Sequence, residues 1–240
     1  MKNTISVNRL GFLPSCSIFL SAAFLMFMIT RLLIPYLSTV TGQETIVLWF
    51  IAGGLGIFTP LIILGFALLR KEGAPLDSKT FTGRLRFRRL SKEDLIWTFI
   101  GFLTVALSSS LILKVLSYFA GEFDPSPPFM AFEPLEKGRY WILAAWLPFW
   151  ILNICGEEFL WRGVMFPRQE VAFGRYTWIL HGFGWGLFHI AFGWALLLTL
   201  LPLIFIQSFI VQKTKNSWTG VILHAGLNGP AFVAISLGLL

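Results

Sequence analysis

Residues 141–168 read WILAAWLPFWILNICGEEFLWRGVMFPR. The stretch is apolar enough and long enough for a bilayer crossing, which takes about 20 mostly apolar residues. Yet Glu157, Glu158 and Arg162 stand inside it. On insertion scales an ionised side chain at the centre of such a helix costs about 2.5–3.5 kcal/mol, so charges kept there mark function. Two more polar groups follow on apolar stretches, His189 and then His224 with Asn228.

The whole chain agrees with a membrane reading. Its 240 residues are 56% hydrophobic and 13% charged. Soluble domains run at roughly 45–50% apolar and about 25% charged. The net charge of +7 does not indicate nucleic acid, because the basic residues lie between apolar spans, where membrane orientation explains them. Cys16 and Cys155 both fall within apolar stretches, which argues against a disulfide framework. The first apolar run, from Phe12, is too long for a signal-peptide core and reads as the first spanning helix.

Seven spans emerge, over residues 12–36, 46–70, 94–119, 140–168, 176–192, 193–212 and 218–239. The fourth is long for one crossing and the fifth short, which leaves room for an extra surface or re-entrant helix and eight segments in all. The expected fold is an all-α polytopic bundle forming one integral membrane domain. Residues 1–120 supply N-terminal transmembrane helices and residues 140–230 carry the polar groups.

Charge sets the expected orientation. The 70–92 connection holds Arg70, Lys71, Lys79, Arg84, Arg86, Arg88, Arg89 and Lys92, which makes it cytoplasmic by the positive-inside rule. Arg168 and Arg175, Lys213 and Lys215, and Lys2 and Arg9 fall on that side when seven spans are counted. Residues 37–45 carry no Lys or Arg, and 120–139 carry Glu122, Asp124, Glu133 and Glu136 against Lys137 and Arg139. The N-terminus is therefore expected in the cytoplasm of a multi-pass cell-membrane protein. The basic connection reads mainly as this topology determinant, and secondarily as a patch for anionic lipid.

The polar groups divide by geometry. Glu158 and Arg162 are four apart on one helix face, with the acid first, the favourable order for a pair. Glu157 points about 100° away and lacks that partner, which suits a general base. Counted at 1.5 Å per residue from basic anchors, Glu157 lies about 16 Å deep, His224 about 12 Å and His189 about 21 Å. Three helices thus bring polar groups to the same half of the bilayer. His224 and Asn228, at i and i+4, can serve one small volume, as an oxyanion site requires. Glu157, His189 and His224 equally suit zinc, although no HExxH is present. His181 reads as interfacial. Gly182, Gly184 and Gly186 read as a smooth packing face.

In this order and on apolar helices, EExxxR (Glu157, Glu158, Arg162), an aromatic-xxx-His (Trp185, His189) and HxxxN (His224, Asn228) resemble the CAAX-protease and bacteriocin-processing family of intramembrane proteases. That family includes the type II prenyl-protein endopeptidases. The resemblance covers about 140–230. It implies an endopeptidase acting on a membrane-associated or C-terminally exposed peptide. Glu157 would activate water, His189 would assist, and His224 and Asn228 would stabilise the oxyanion, with Glu158, Arg162 and Trp185 in support. The site would open toward the cytoplasm. The family usually carries Phe where Trp185 stands, which predicts a changed cavity wall with the chemistry retained. Two other readings stay open, a non-catalytic immunity, sorting or scaffold protein on the same fold and, less favoured, a transporter.

Overall fold

The computed structural model describes residues 7–121 and 125–239. Lys2, Glu122 and Asp124, which enter the charge argument, lie outside them. The described residues are almost entirely helical, and we number the main helices α1 (Phe12–Thr41), α2 (Thr45–Lys71), α3 (Lys92–Ala120), α4 (141–173), α5 (Thr177–Phe188), α6 (Trp194–Thr214) and α7 (Ser217–Ser236). The chain is an all-helical polytopic bundle.

The sequence explains where these helices begin and end. Ser91 caps α3 reciprocally with Asp94: the Ser91 hydroxyl accepts from the Asp94 N–H, and the Asp94 carboxylate accepts from the Ser91 N–H. Asn216 caps α7 by accepting the Trp218 N–H at 3.1 Å. At the junction of α4 and α5, Gly174 takes a φ of +54°, a conformation that suits glycine, and the chain reverses there. The fourth and fifth predicted spans are therefore two arms of one helical stretch, Trp141–Phe188.

The predicted fifth span is a shorter helix than the sequence suggests. The 12 residues of α5 reach only about 18 Å at 1.5 Å per residue. A 3₁₀ turn, Ile190–Phe192, extends it, and Phe192 meets Phe129 with ring centroids 5.6 Å apart. At its start, the Trp178 N–H donates to Gln212 near the end of α6. α5 and its turn together therefore run the length of α6. The excess length of the fourth span is accounted for by α4 continuing to Phe173 beside α5. Among the described residues six helical stretches are long and apolar enough to span, with α4 and α5 together as one of them.

Polar contacts gather at two opposite ends. At one, the Leu10 N–H donates to the Arg168 carbonyl, Glu72 pairs with Arg84 and Arg168, Arg86 and Lys215 pair with Glu170, and Arg88 pairs with Asp94. At the other, Arg139 pairs with Glu44 and the Leu135 N–H donates to the Ser236 carbonyl. The connections that the charge pattern assigns to one side do collect at one end of the bundle.

Between the ends the surface is hydrocarbon. On α3, Leu95, Phe99, Leu103, Leu107 and Leu111 are exposed, while Thr98, Gly101 and Val105 face α6 and α7. In water such a face would be penalised at roughly 25 cal/mol per Å². In lipid it carries no such cost. The interior holds aromatic rings in edge contact, Trp49 against Phe58, Phe129 and Phe149. Glycines admit rings as expected: a Cβ on Gly182 would meet the Phe205 ring, and one on Gly184 the Phe19 ring.

Candidate active site

α4 changes its winding at the acidic pair. Trp141–Glu157 is α-helical, and Glu158–Met165 is a π-helical segment. Wider π turns inside α-helices are uncommon and concentrate at functional sites. Here the change falls between the two glutamates. Gly156 lets α4 approach α2, since a Cβ there would lie 2.8 Å from the Phe58 carbonyl oxygen.

The two carboxylates face different helices. Glu157 is 1% exposed and looks toward α5. Its Oε2 accepts the Trp185 indole N–H at 2.6 Å, and its Oε1 accepts from Asn153 at 3.2 Å. His189 Nε2 lies 3.9 Å from Oε2. His189 Nδ1 is 2.9 Å from the Trp185 carbonyl oxygen. A carbonyl only accepts, so Nδ1 carries a proton, and Nε2 is the nitrogen that faces Glu157.

Glu158 looks toward α6 and α7. Its Oε1 accepts from Gln207 Nε2 at 2.8 Å and from His224 Nδ1 at 2.9 Å. Arg162 Nη1 stands 3.4 Å from the same oxygen, an ion pair without hydrogen-bond alignment. The Arg162 guanidinium is fully buried and stacks on the Trp185 ring, 3.6 Å from its centroid. Burying a charge demands such compensation. The pairing of Glu158 with Arg162 stands as the spacing predicts.

Two acid–histidine pairs therefore sit side by side, Glu157 with His189 and Glu158 with His224, with Trp185 between them. The three polar motifs come together in one buried cluster. Asn228 does not join it. Its side chain is exposed one turn beyond His224 and makes no hydrogen bond to the cluster. His181 is also placed differently from its interfacial reading. It is fully buried, with Nδ1 2.6 Å from Gln169 Oε1, because the extension of α4 to Phe173 covers the start of α5.

Asn153, Gln207 and Gly220 are the members that the motifs do not announce. Asn153 and Gln207 are lone carboxamides in apolar spans, a signal of the same kind as the histidines. Gly220 is needed for space: a Cβ there would be 2.7 Å from Glu158 Oε2. Nothing in the sequence pairs it with Glu158.

The donors offered to zinc do not assemble as one set. Glu157 and His189 face each other, but His224 is turned to Glu158. Among the described residues no three His, Cys, Asp or Glu side chains stand close enough to hold a metal ion.

Comparison with known proteins bears on the same residues. No curated protein and no solved structure matches the chain. The family model of the Rce1-like type II CAAX prenyl endopeptidases matches residues 139–229, the stretch that holds both glutamates, Arg162, Trp185, both site histidines and Asn228. By that match, residues 139–229 are similar to the protease domain of the Rce1-like type II CAAX prenyl endopeptidases.

Proposed function

We propose that this chain is an intramembrane endopeptidase that hydrolyses a peptide bond of a membrane-associated protein, with Glu157 as general base. The observation that carries the reading is the buried pairing of Glu157 with His189, 3.9 Å apart, beside Glu158 with His224, 2.9 Å apart.

Peptide hydrolysis needs an activated water, a site for the oxyanion and a proton for the leaving amine. A water hydrogen-bonded at about 2.8 Å to both Glu157 Oε2 and His189 Nε2 fits their separation. Glu157 takes one proton from it as the oxygen attacks the scissile carbonyl carbon. The carbonyl π bond opens to an oxyanion. His224, held through Nδ1 by Glu158, turns its ring toward that oxygen, and Arg162 in turn fixes Glu158. Collapse of the tetrahedral intermediate breaks the C–N bond, and the proton held on Glu157 passes to the departing amine. Asn228 stands outside the buried cluster, and in this reading it reaches the oxyanion only once substrate is bound.

Burial strengthens every one of these contacts by lowering the local dielectric. The Glu157 cluster lies on the arm of α4 that leads to the basic end of the bundle, which supports water reaching it from that side, read as the cytoplasm.

Comparative proteomics of membrane fractions tests the reading. Cells carrying Glu157→Gln accumulate an uncleaved precursor that wild-type cells convert, with equal amounts of the protease in both membranes. Identical precursor patterns in the two strains would sink it.

A further inference from the structure

We propose that the Trp185 indole N–H fixes the carboxylate of Glu157 for reaction, which makes Trp185 a positioning residue of the site and more than a wall of its cavity. The inference rests on the reading of Glu157 as general base. Trp185 is 1% exposed and meets four side chains of the buried cluster, Glu157, Arg162, His189 and His224. Its N–H lies 2.6 Å from Glu157 Oε2, its ring face carries Arg162, and its carbonyl holds His189 Nδ1. Its ring also meets the His189 ring at a centroid distance of 5.4 Å and the His224 ring at 5.6 Å, each nearly edge-on.

The bond to Glu157 is the shorter of the two that this carboxylate accepts, the other coming from Asn153 at 3.2 Å on the same helix. Hydrogen bonds to an ionised acceptor are shorter and about twice as strong as neutral ones. A carboxylate has a torsional choice of orientations, and one donor at each oxygen removes it. Because the indole also stacks on Arg162, its plane is fixed independently of Glu157. The anchor is therefore rigid. With Oε2 tied to α5, the carboxylate is kept on the side where His189 Nε2 waits. A Phe at this position would keep the aromatic wall and the stacking face but supply no N–H.

Trp185→Phe, Glu157→Ala and the double variant, purified in detergent, separate these roles. If Trp185 positions Glu157, Trp185→Phe lowers the melting temperature by several degrees more in the wild-type protein than in the Glu157→Ala background. On the precursor found by proteomics its kcat falls about tenfold or more, since small misplacements of reacting groups cost rates of that order, while KM stays within about twofold. Trp185→Tyr returns a donor at the ring's far end and recovers part of that kcat; Trp185→Leu, which also lacks a donor, replaces the Phe variant in the melting comparison if the latter fails to accumulate. Additive melting shifts with an unchanged kcat would overturn the positioning role while leaving the endopeptidase reading intact. Coupled melting shifts without any Glu157-dependent cleavage would overturn the endopeptidase reading and still support the Trp185–Glu157 bond.

Discussion

At the scale of single residues, the site places two adjacent glutamates in unlike roles. The π turn that starts at Glu158 lets both carboxylates stay buried while each meets its own histidine. The roles differ in what a substitution removes. Glu157→Gln keeps size and loses the base, so kcat falls by about 10²–10⁴, the usual share of a general base. Its single amide oxygen can accept only one of the bonds now donated by Trp185 and Asn153, so the melting temperature drops modestly, by far less than in Glu158→Gln. Glu158→Gln strands the Arg162 cation in the interior. Breaking a buried pair in this way costs about 3–5 kcal/mol, read as a large drop in melting temperature. A melting temperature that falls equally in both variants would contradict the division. Gly220→Ala tests the same carboxylate from α7. Its new methyl group meets Glu158 Oε2 and costs about 1–3 kcal/mol by overpacking, measured by thermal or denaturant unfolding.

At the scale of helices, the sequence makes most of the bundle legible and conceals particular contacts for physical reasons. Hydropathy and charge locate α1 to α7 because a spanning helix needs its length of apolar residues whatever it packs against. The Glu158–Arg162 pair is legible because i, i+4 spacing fixes it within one helix. The exposure of Asn228 is not, since four residues carry the helix about 40° past a full turn, and a face that is inward at His224 has begun to turn outward. The burial of His181 depends on where Gly174 ends α4, which a local reading of α5 cannot contain. Likewise Arg84, Arg86 and Arg88 read as topology charges, yet each pairs with an acid, Glu72, Glu170 and Asp94 respectively. They fold the 70–92 connection onto the end of the bundle. Arg84 also donates to the Gly163 and Val164 carbonyls inside the π turn of α4. Glu72→Gln therefore loosens the connection and the turn together, with an expected loss of about 3–5 kcal/mol. Limited trypsin digestion reads this directly as faster cleavage at Arg84 to Arg89, and a digestion rate equal to that of the wild-type protein would contradict it.

At the scale of the whole molecule, the chain is a multi-pass helical bundle whose two ends differ in charge and whose buried site belongs to the half nearer the basic end. One spanning helix, α3, separates the 70–92 and 125–139 connections and sets them at opposite ends of the bundle. With Cys16→Ser and Cys155→Ser as background, Lys79→Cys reacts with an impermeant maleimide only from the cytoplasmic side and Lys137→Cys only from the outside; labelling of both from one side would contradict α3 as a crossing. The central claim concerns chemistry in that site, and isotope labelling tests it most directly. Purified wild-type protein in lipid vesicles, given its precursor in ¹⁸O water, places one ¹⁸O in the new C-terminal carboxylate of the product, while Glu157→Gln, still folded in the same vesicles, forms that product at least about 10²-fold more slowly. Labelled product formed at the wild-type rate by Glu157→Gln would contradict it.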